Sequence, residues 1–271
     1  MIEMRYASKE DINSLKELYL SSFDEKPEAV ELFFKRIFVP ENCYIAIDRD
    51  ELIAMVHMLP TTVNGKQARY LYAAATKAEF RGFGIMDGLV KAALSVYAPE
   101  ICVTLPADDG LYDYYKRFRF KPLEINIAEL SRDEVSSLSE SFDEQELVVE
   151  NYCGIRNRVL KNNFLFWNNN YINYTFDYNE IYGAKIIKSN FGYAIAYEEN
   201  GVCEVVEFIC ADEHSPQMLS LLVSDFNCEK FRIRLSPNQK FFNNIKSEKF
   251  AMARYATRYE PEFIYSGLTL E

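Results

Sequence analysis

The 271-residue sequence predicts an α/β fold of the α+β kind, a mixed and mostly antiparallel sheet flanked by helices, followed by a second, reduced domain. Three observations predict it. Apolar, β-branched runs alternate with segments of helical periodicity over the first 130 residues. Asn64-Gly65 and Asn200-Gly201 are hairpin turns between such runs. The segment AAATKAEFRGFGIMDGLVKAAL, Ala73 to Leu94, leads a strand through a glycine turn straight into a helix.

The elements follow in order. A short strand precedes Ser8, which caps a helix with Ile12, Leu15, Leu18 and Tyr19 at helical spacing, and Asp11 stands three residues on, as in a capping box. Pro27 suits the first turn of a second helix carrying Val30, Phe33, Phe34 and Ile37. Tyr44–Ile47 and Leu52–Leu59 form a hairpin, and the turn at Asn64-Gly65 delivers the strand Tyr70–Thr76. Helix, strand, helix and strand complete a domain at residues 1–130.

Within the glycine turn, Gly82 and Gly84 lack a Cβ, so the backbone can adopt positive φ and aim its N–H groups at an oxygen-rich ligand. The first turn of the following helix leaves four donors unbonded under a favourable dipole, and Arg81 adds a full positive charge. RGFGIM matches neither GxGxxG nor GxxxxGK[ST], which excludes two familiar nucleotide loops. It matches Arg/Gln-x-x-Gly-x-Gly/Ala, with Met86 at the second small position. Twenty residues on, LPADDGLYDYYKRFRFKP has a strand end, a short helix and a Tyr five residues before a Phe, with Arg119 where a Gly usually precedes Phe120.

On these two segments the chain resembles the GNAT N-acetyltransferases. The resemblance implies that Arg81, Gly82, Phe83, Gly84, Ile85 and Met86 grip the pyrophosphate of acetyl-coenzyme A. It implies also that strands four and five part, so that Ala74, Ala75 and Thr76 offer backbone groups to the pantetheine arm, although AAAT serves equally as a packed core strand. Tyr115 falls on the family's tyrosine, placed to protonate the departing thiolate. The base that takes the amine proton stays open among a water chain, His57, and the carboxylate of Glu271, the last residue of the chain.

Composition bounds the rest. The chain is 49% hydrophobic and 26% charged, enough to bury two cores, and it has no run of 18 apolar residues and no signal-peptide pattern after Met1; a cytoplasmic protein is expected. Six scattered cysteines and two histidines, with no CxxC, make neither a metal centre nor a disulfide framework. A net charge of −11 excludes a broad basic nucleic-acid surface and favours a cationic acceptor.

Residues 131–150, polar and acidic, read as a linker. The reduced domain then covers 151–271, with a helix over Asn151–Lys161, a hairpin Gly192–Tyr197 and Val202–Cys210, a helix Ser215–Phe226 and a strand Phe231–Leu235. With this repeat the second half resembles a reduced GNAT domain, as in the tandem, Eis-type members of the family. CADEHSPQ stands where the phosphate loop would be, and its acids repel pyrophosphate, so this half is not expected to hold coenzyme A. YEPEFIYSGLTLE reads as an edge strand with a frayed end. The combined expectation is direct transfer of an acetyl group from acetyl-coenzyme A to the amine of a cationic small molecule, with no metal, nucleic acid or membrane involved. The alternative is a non-catalytic sensor of acyl-coenzyme A on the same scaffold.

Overall fold

The structure is a computed structural model that describes residues 2–141 and 151–269. It divides into two compact units, one running to Pro122 and including Ala251–Glu260, the other Leu123–Phe250 with the segment from Pro261 onward.

The first unit runs β1 (Glu3–Tyr6), α1 (Ile12–Ser22), α2 (Pro27–Arg36), β2 (Cys43–Asp48), β3 (Glu51–Val63), β4 (Lys66–Thr76), α3 (Ile85–Tyr97), β5 (Ile101–Thr104) and α4 (Asp109–Lys116). Its sheet is ordered β1-β2-β3-β4-β5, antiparallel except for β4 against β5. Local chemistry accounts for the turns. The carboxylate of Asp11 accepts from the Ser8 amide (2.7 Å) and hydroxyl (2.8 Å), and from Arg5, which with these bonds holds it down at about 2. Asn64 (φ 51°) and Gly65 (φ 77°) form a left-handed pair of the kind that closes a two-residue hairpin. Leu89, Val90 and Ala93 of α3 pack on Ala54, Val56 and Leu71 of the sheet, sharing one core with Tyr115, Phe118 and Phe120.

The second unit contains β6 (Lys121–Ser131), α5 (Arg132–Leu138), α6 (Tyr152–Leu160), α7 (Asn169–Ile181), β7 (Lys185–Lys188), β8 (Gly192–Glu199), β9 (Val202–Cys210), α8 (Ser215–Asp225), β10 (Lys230–Leu235) and the start of β11 (Ile245–Tyr255). The sheet order is β6-β10-β9-β8-β7, with β10 parallel to β9 and the other pairs antiparallel. Phe208, Met218, Leu219, Leu222, Phe231 and Ile233 centre its core.

Several expectations are corrected. The segment 131–138 is not linker but α5. Ser131 and Glu134 form a reciprocal capping box and Val135 is buried, so a capped turn with one apolar anchor suffices. Of the rest of the expected linker, 139–150, residues 142–150 lie outside the described residues. The first unit ends near Pro122 rather than 130, because β6 pairs with β10, and it regains 251–260, because Met252–Tyr255 of β11 pair antiparallel with Thr104–Ile101 of β5. Pairing between strands so distant in sequence leaves no local signal. NNNYINYTFDY forms α7, with Asn168 accepting from the Tyr171 amide (2.9 Å). The segment 261–269 is no edge strand: Ile264, Tyr265 and Ser266 are buried and make a single bridge, Phe164 to Tyr265.

Candidate active site

β4 and β5 pair only from Ala68–Ile101 to Leu71–Thr104, and beyond that point β4 continues as Tyr72–Thr76 without its parallel neighbour. The apex of the resulting notch is closed by the Thr104 hydroxyl, which donates to the Leu71 carbonyl (3.0 Å). Just past it, β4 bulges. Met55 faces Ala75 and His57 faces Tyr72, so Ala73 and Ala74 oppose one residue, and Ala73 takes φ 47°. A left-handed Ala is strained by roughly 1–2 kcal/mol, and such a bulge turns peptide groups away from the sheet ladder. Ala74, Ala75 and Thr76 lie where the sequence places them, on the parted stretch. Ala73, at the bend itself, was missed, since nothing in the letters AAAT distinguishes which alanine is left-handed.

After β4 the glycine turn takes the predicted shape, with Gly82 at φ 84° and Gly84 at φ 74° as the residue capping α3. Arg81 donates through Nε to the Thr76 carbonyl (3.0 Å), which ties the turn to the end of β4. A cleft of about 700 Å³ opens here, lined by Thr76, Phe80, Arg81, Gly82 and Gly84 to Gly88, and by Lys91, Tyr114 and Arg117. The Thr76 hydroxyl is buried with no hydrogen-bond partner among the described residues. Ile85 and Met86 line the cleft, whereas Phe83 does not and is 78% exposed. Tyr114, Asp87, Lys91 and Arg117 were not foreseen; their spacing on α3 and α4 is that of any solvated helix face.

Tyr115 turns away from this cleft into the core, against Tyr114, Phe118 and Phe120. Its hydroxyl bonds Thr104, the residue at the apex of the notch. Burial raises its pKa, with the Thr104 bond working against that, so the phenol stays protonated at neutral pH.

His57 lies elsewhere, on the face of β3 that packs under α2. It is boxed by Phe33, Phe34, Phe38 and Tyr72, and the Tyr19 and Tyr72 hydroxyls bond one another nearby. At 1% exposure its ring is pushed down to about 3 by burial, against the opposing pull of the Ala73 carbonyl, and neither nitrogen meets full hydrogen-bond geometry. An imidazole so disfavoured as a cation is a poor proton acceptor, which counts against His57 as the base. Glu271 lies outside the described residues.

The second unit repeats the parted strands. β9 and β10 pair only as far as Val205–Ile233, and beyond that point buried Gln239 donates to the Phe208 carbonyl (2.9 Å). At the turn before α8, the Asp212 carboxylate accepts from the Lys240 amide (3.1 Å). The chain's own polar groups occupy both places.

Residues 3–122 match the family model described as Acetyltransferase (GNAT) domain. The chain carries a GNAT acetyltransferase domain. That domain makes it an acyltransferase, and its limits coincide with the main segment of the first unit. Among solved structures, the GCN5-related N-acetyltransferase of Anabaena variabilis superposes with a TM-score of 0.73 at 14% identity, covering 95% of this chain and 73% of that one. Eis1 of Mycobacterium abscessus gives 0.63 at 10% identity over 93% and 73%. The GCN5-related N-acetyltransferase of Kribbella flavida gives 0.62 at 14% over 94% and 72%. At such identities the likeness is one of fold, and it spans both units of the chain. No curated protein matches the sequence. Among the described residues no helix is long and apolar enough to cross a membrane, and no cluster of His, Cys, Asp or Glu is arranged to hold a metal.

Proposed function

We propose that the GNAT domain transfers an acetyl group from acetyl-coenzyme A directly to the amine of a small, cationic acceptor. The observation that carries this reading is the continuity of the parted, bulged β4 with the left-handed glycine turn. Unpaired strand groups that suit the amides of pantetheine run directly into a cradle of N–H groups and Arg81 that suits pyrophosphate. The unpartnered Thr76 hydroxyl lies between the two.

In this reading the amine lone pair attacks the thioester carbonyl carbon, forming C–N. Backbone N–H groups of the bulged segment stabilise the oxyanion, and C–S breaks as the sulfur takes a proton from Tyr115. The nitrogen gives up its own proton, which restores the neutral amide product. Tyr115 keeps its proton at neutral pH, which the role requires. For the base, Glu271 or ordered water is favoured over the buried His57. The net charge of −11 motivates a cationic acceptor.

Calorimetric titration with acetyl-coenzyme A tests this. One site per chain is expected, lost in Gly84→Glu, which puts bulk and negative charge in the turn; no binding by the parent chain would end the acyl-coenzyme A reading. Tyr115→Phe should bind with nearly parental affinity while turnover with an accepted amine falls about 100-fold or more. Unchanged turnover would remove Tyr115 from the mechanism.

A further inference from the structure

The cleft does not end at the glycine turn. It continues along α3, past Gly84 to Asp87 and Lys91, with Tyr114 and Arg117 of the α4 end on the other wall. From Gly84 to Lys91 is seven residues, about 10 Å of helix. Lys91 Nζ lies 2.9 Å from Asp87 Oδ2 and Arg117 Nη2 lies 2.8 Å from Asp87 Oδ1. The Arg117 contact is off the hydrogen-bonding direction, and Oδ1 has no hydrogen bond although it is buried. Arg117 is held by Nε, which donates to the Tyr114 carbonyl (3.4 Å), and by stacking, its guanidinium 4.5 Å from the centre of the Tyr114 ring. Two cations therefore share one carboxylate that satisfies neither fully. With Arg81, the cleft lining carries three positive charges and one negative.

A pyrophosphate held at Gly82, Gly84 and Arg81 accounts for only one end of this charge. We propose that Lys91 and Arg117 recognise a second, separate phosphate, the monoester on the 3′ carbon of the coenzyme A ribose, and that Asp87 holds both cations in place until that phosphate takes them over. This rests on the acyl-coenzyme A reading above and adds a specificity to it: the chain discriminates 3′-phosphorylated coenzyme A from its dephospho form. A phosphate monoester offers three acceptor oxygens to a fork and an ammonium, and charge-assisted bonds of this kind are the strong ones. Lys91 and Arg117 are each more than half exposed, so the discrimination is salt-sensitive.

The test is a low-salt calorimetric comparison of coenzyme A with 3′-dephospho-coenzyme A on the full chain. The parent should bind the dephospho form about tenfold or more weakly. In Arg117→Ala and Lys91→Ala, both surface changes, coenzyme A should weaken toward the dephospho value while dephospho-coenzyme A is little altered. Asp87→Asn, which frees both cations, should widen the ratio. Equal binding of the two forms by the parent, or variants that weaken both forms alike, overturns the proposal and leaves the acyl-coenzyme A reading standing. A narrower ratio in Asp87→Asn overturns the role given to Asp87. Binding of neither form overturns both readings.

Discussion

His57 shows how one side chain ties stability to pH. Its ring is enclosed by the aromatic groups of α2 and β4, and burial lowers its pKa to about 3. A group whose folded pKa is depressed contributes stability that is complete above its unfolded value, about 6.5, and is lost as pH falls toward the folded value. Stability should therefore decline from about pH 6.5 to about pH 3, by no more than about 1.4 kcal/mol per pH unit from this group. His57→Phe, which keeps the ring in an aromatic box, should show a shallower acid decline than the parent in urea melts at pH 7, 6, 5 and 4. Parallel declines would mean that the imidazole is hydrated or already partnered. Tyr115 shows a different limit at the same scale. Its spacing to Phe120 was legible, but that its hydroxyl reaches Thr104 while Tyr114 faces the cleft depends on how α4 is rotated against the core.

At the scale of elements, α4 ends in a left-handed turn on an unexpected residue. Arg119 stands where a Gly is usual and still adopts φ 68°, with its amide bonded to the Lys116 carbonyl (2.9 Å) and that of Phe120 to the Tyr115 carbonyl (3.4 Å). The turn is imposed by burial of Phe118 and Phe120, and the exposed Arg119 bears the strain. Arg119→Gly should thus stabilise the chain by about 1 kcal/mol, seen as a rise in Tm of about 2–4 °C. A fall in Tm would mean that the arginine makes a contact worth more than its backbone cost. The β4 bulge is the counterpart in the sheet. Its existence follows from pairing with β3, where two alanines meet one valine, and no periodicity within Tyr70–Thr76 announces it.

Within the whole molecule, the last described segment is anchored by a buried charge pair. Arg156 and Glu207 are each 1% exposed and meet through Nε and Oε1 (3.2 Å). Arg156 also donates to the Leu165 (2.6 Å) and Gly267 (3.2 Å) carbonyls, and Tyr265 and Tyr193 donate to Glu207. Burial and then the Glu207 carboxylate hold both phenols protonated and able to donate. Gly267 is required by close approach, since a Cβ there would stand 2.1 Å from Glu207 Oε2. Removing one partner of such a pair strands the other: Arg156→Met should cost about 3–5 kcal/mol in equilibrium urea unfolding, and the double replacement with Glu207→Met distinctly less. A single replacement without cost would show the pair to be incidental. The sequence shows this segment only as a short apolar strand with an acidic end, and the anchor leaves no local signal because Arg156, Glu207 and Gly267 are far apart in the chain.

The sequence by itself determined the features that act over a few residues: the glycine turn, the capped helices, the Asn-Gly hairpins, the tyrosine five residues before a phenylalanine, and the repetition of one strand and helix order. Each arises from backbone freedom, local hydrogen bonding or periodic burial, and each is written in neighbouring letters. Only the tertiary structure decided which alanine of AAAT is left-handed, which of two adjacent tyrosines faces the cleft, that the segment 251–260 returns to the first unit, and that Asp87 is shared by Lys91 and Arg117. These depend on strand register, helix rotation and charges brought together from distant positions, quantities that packing settles and no short window contains.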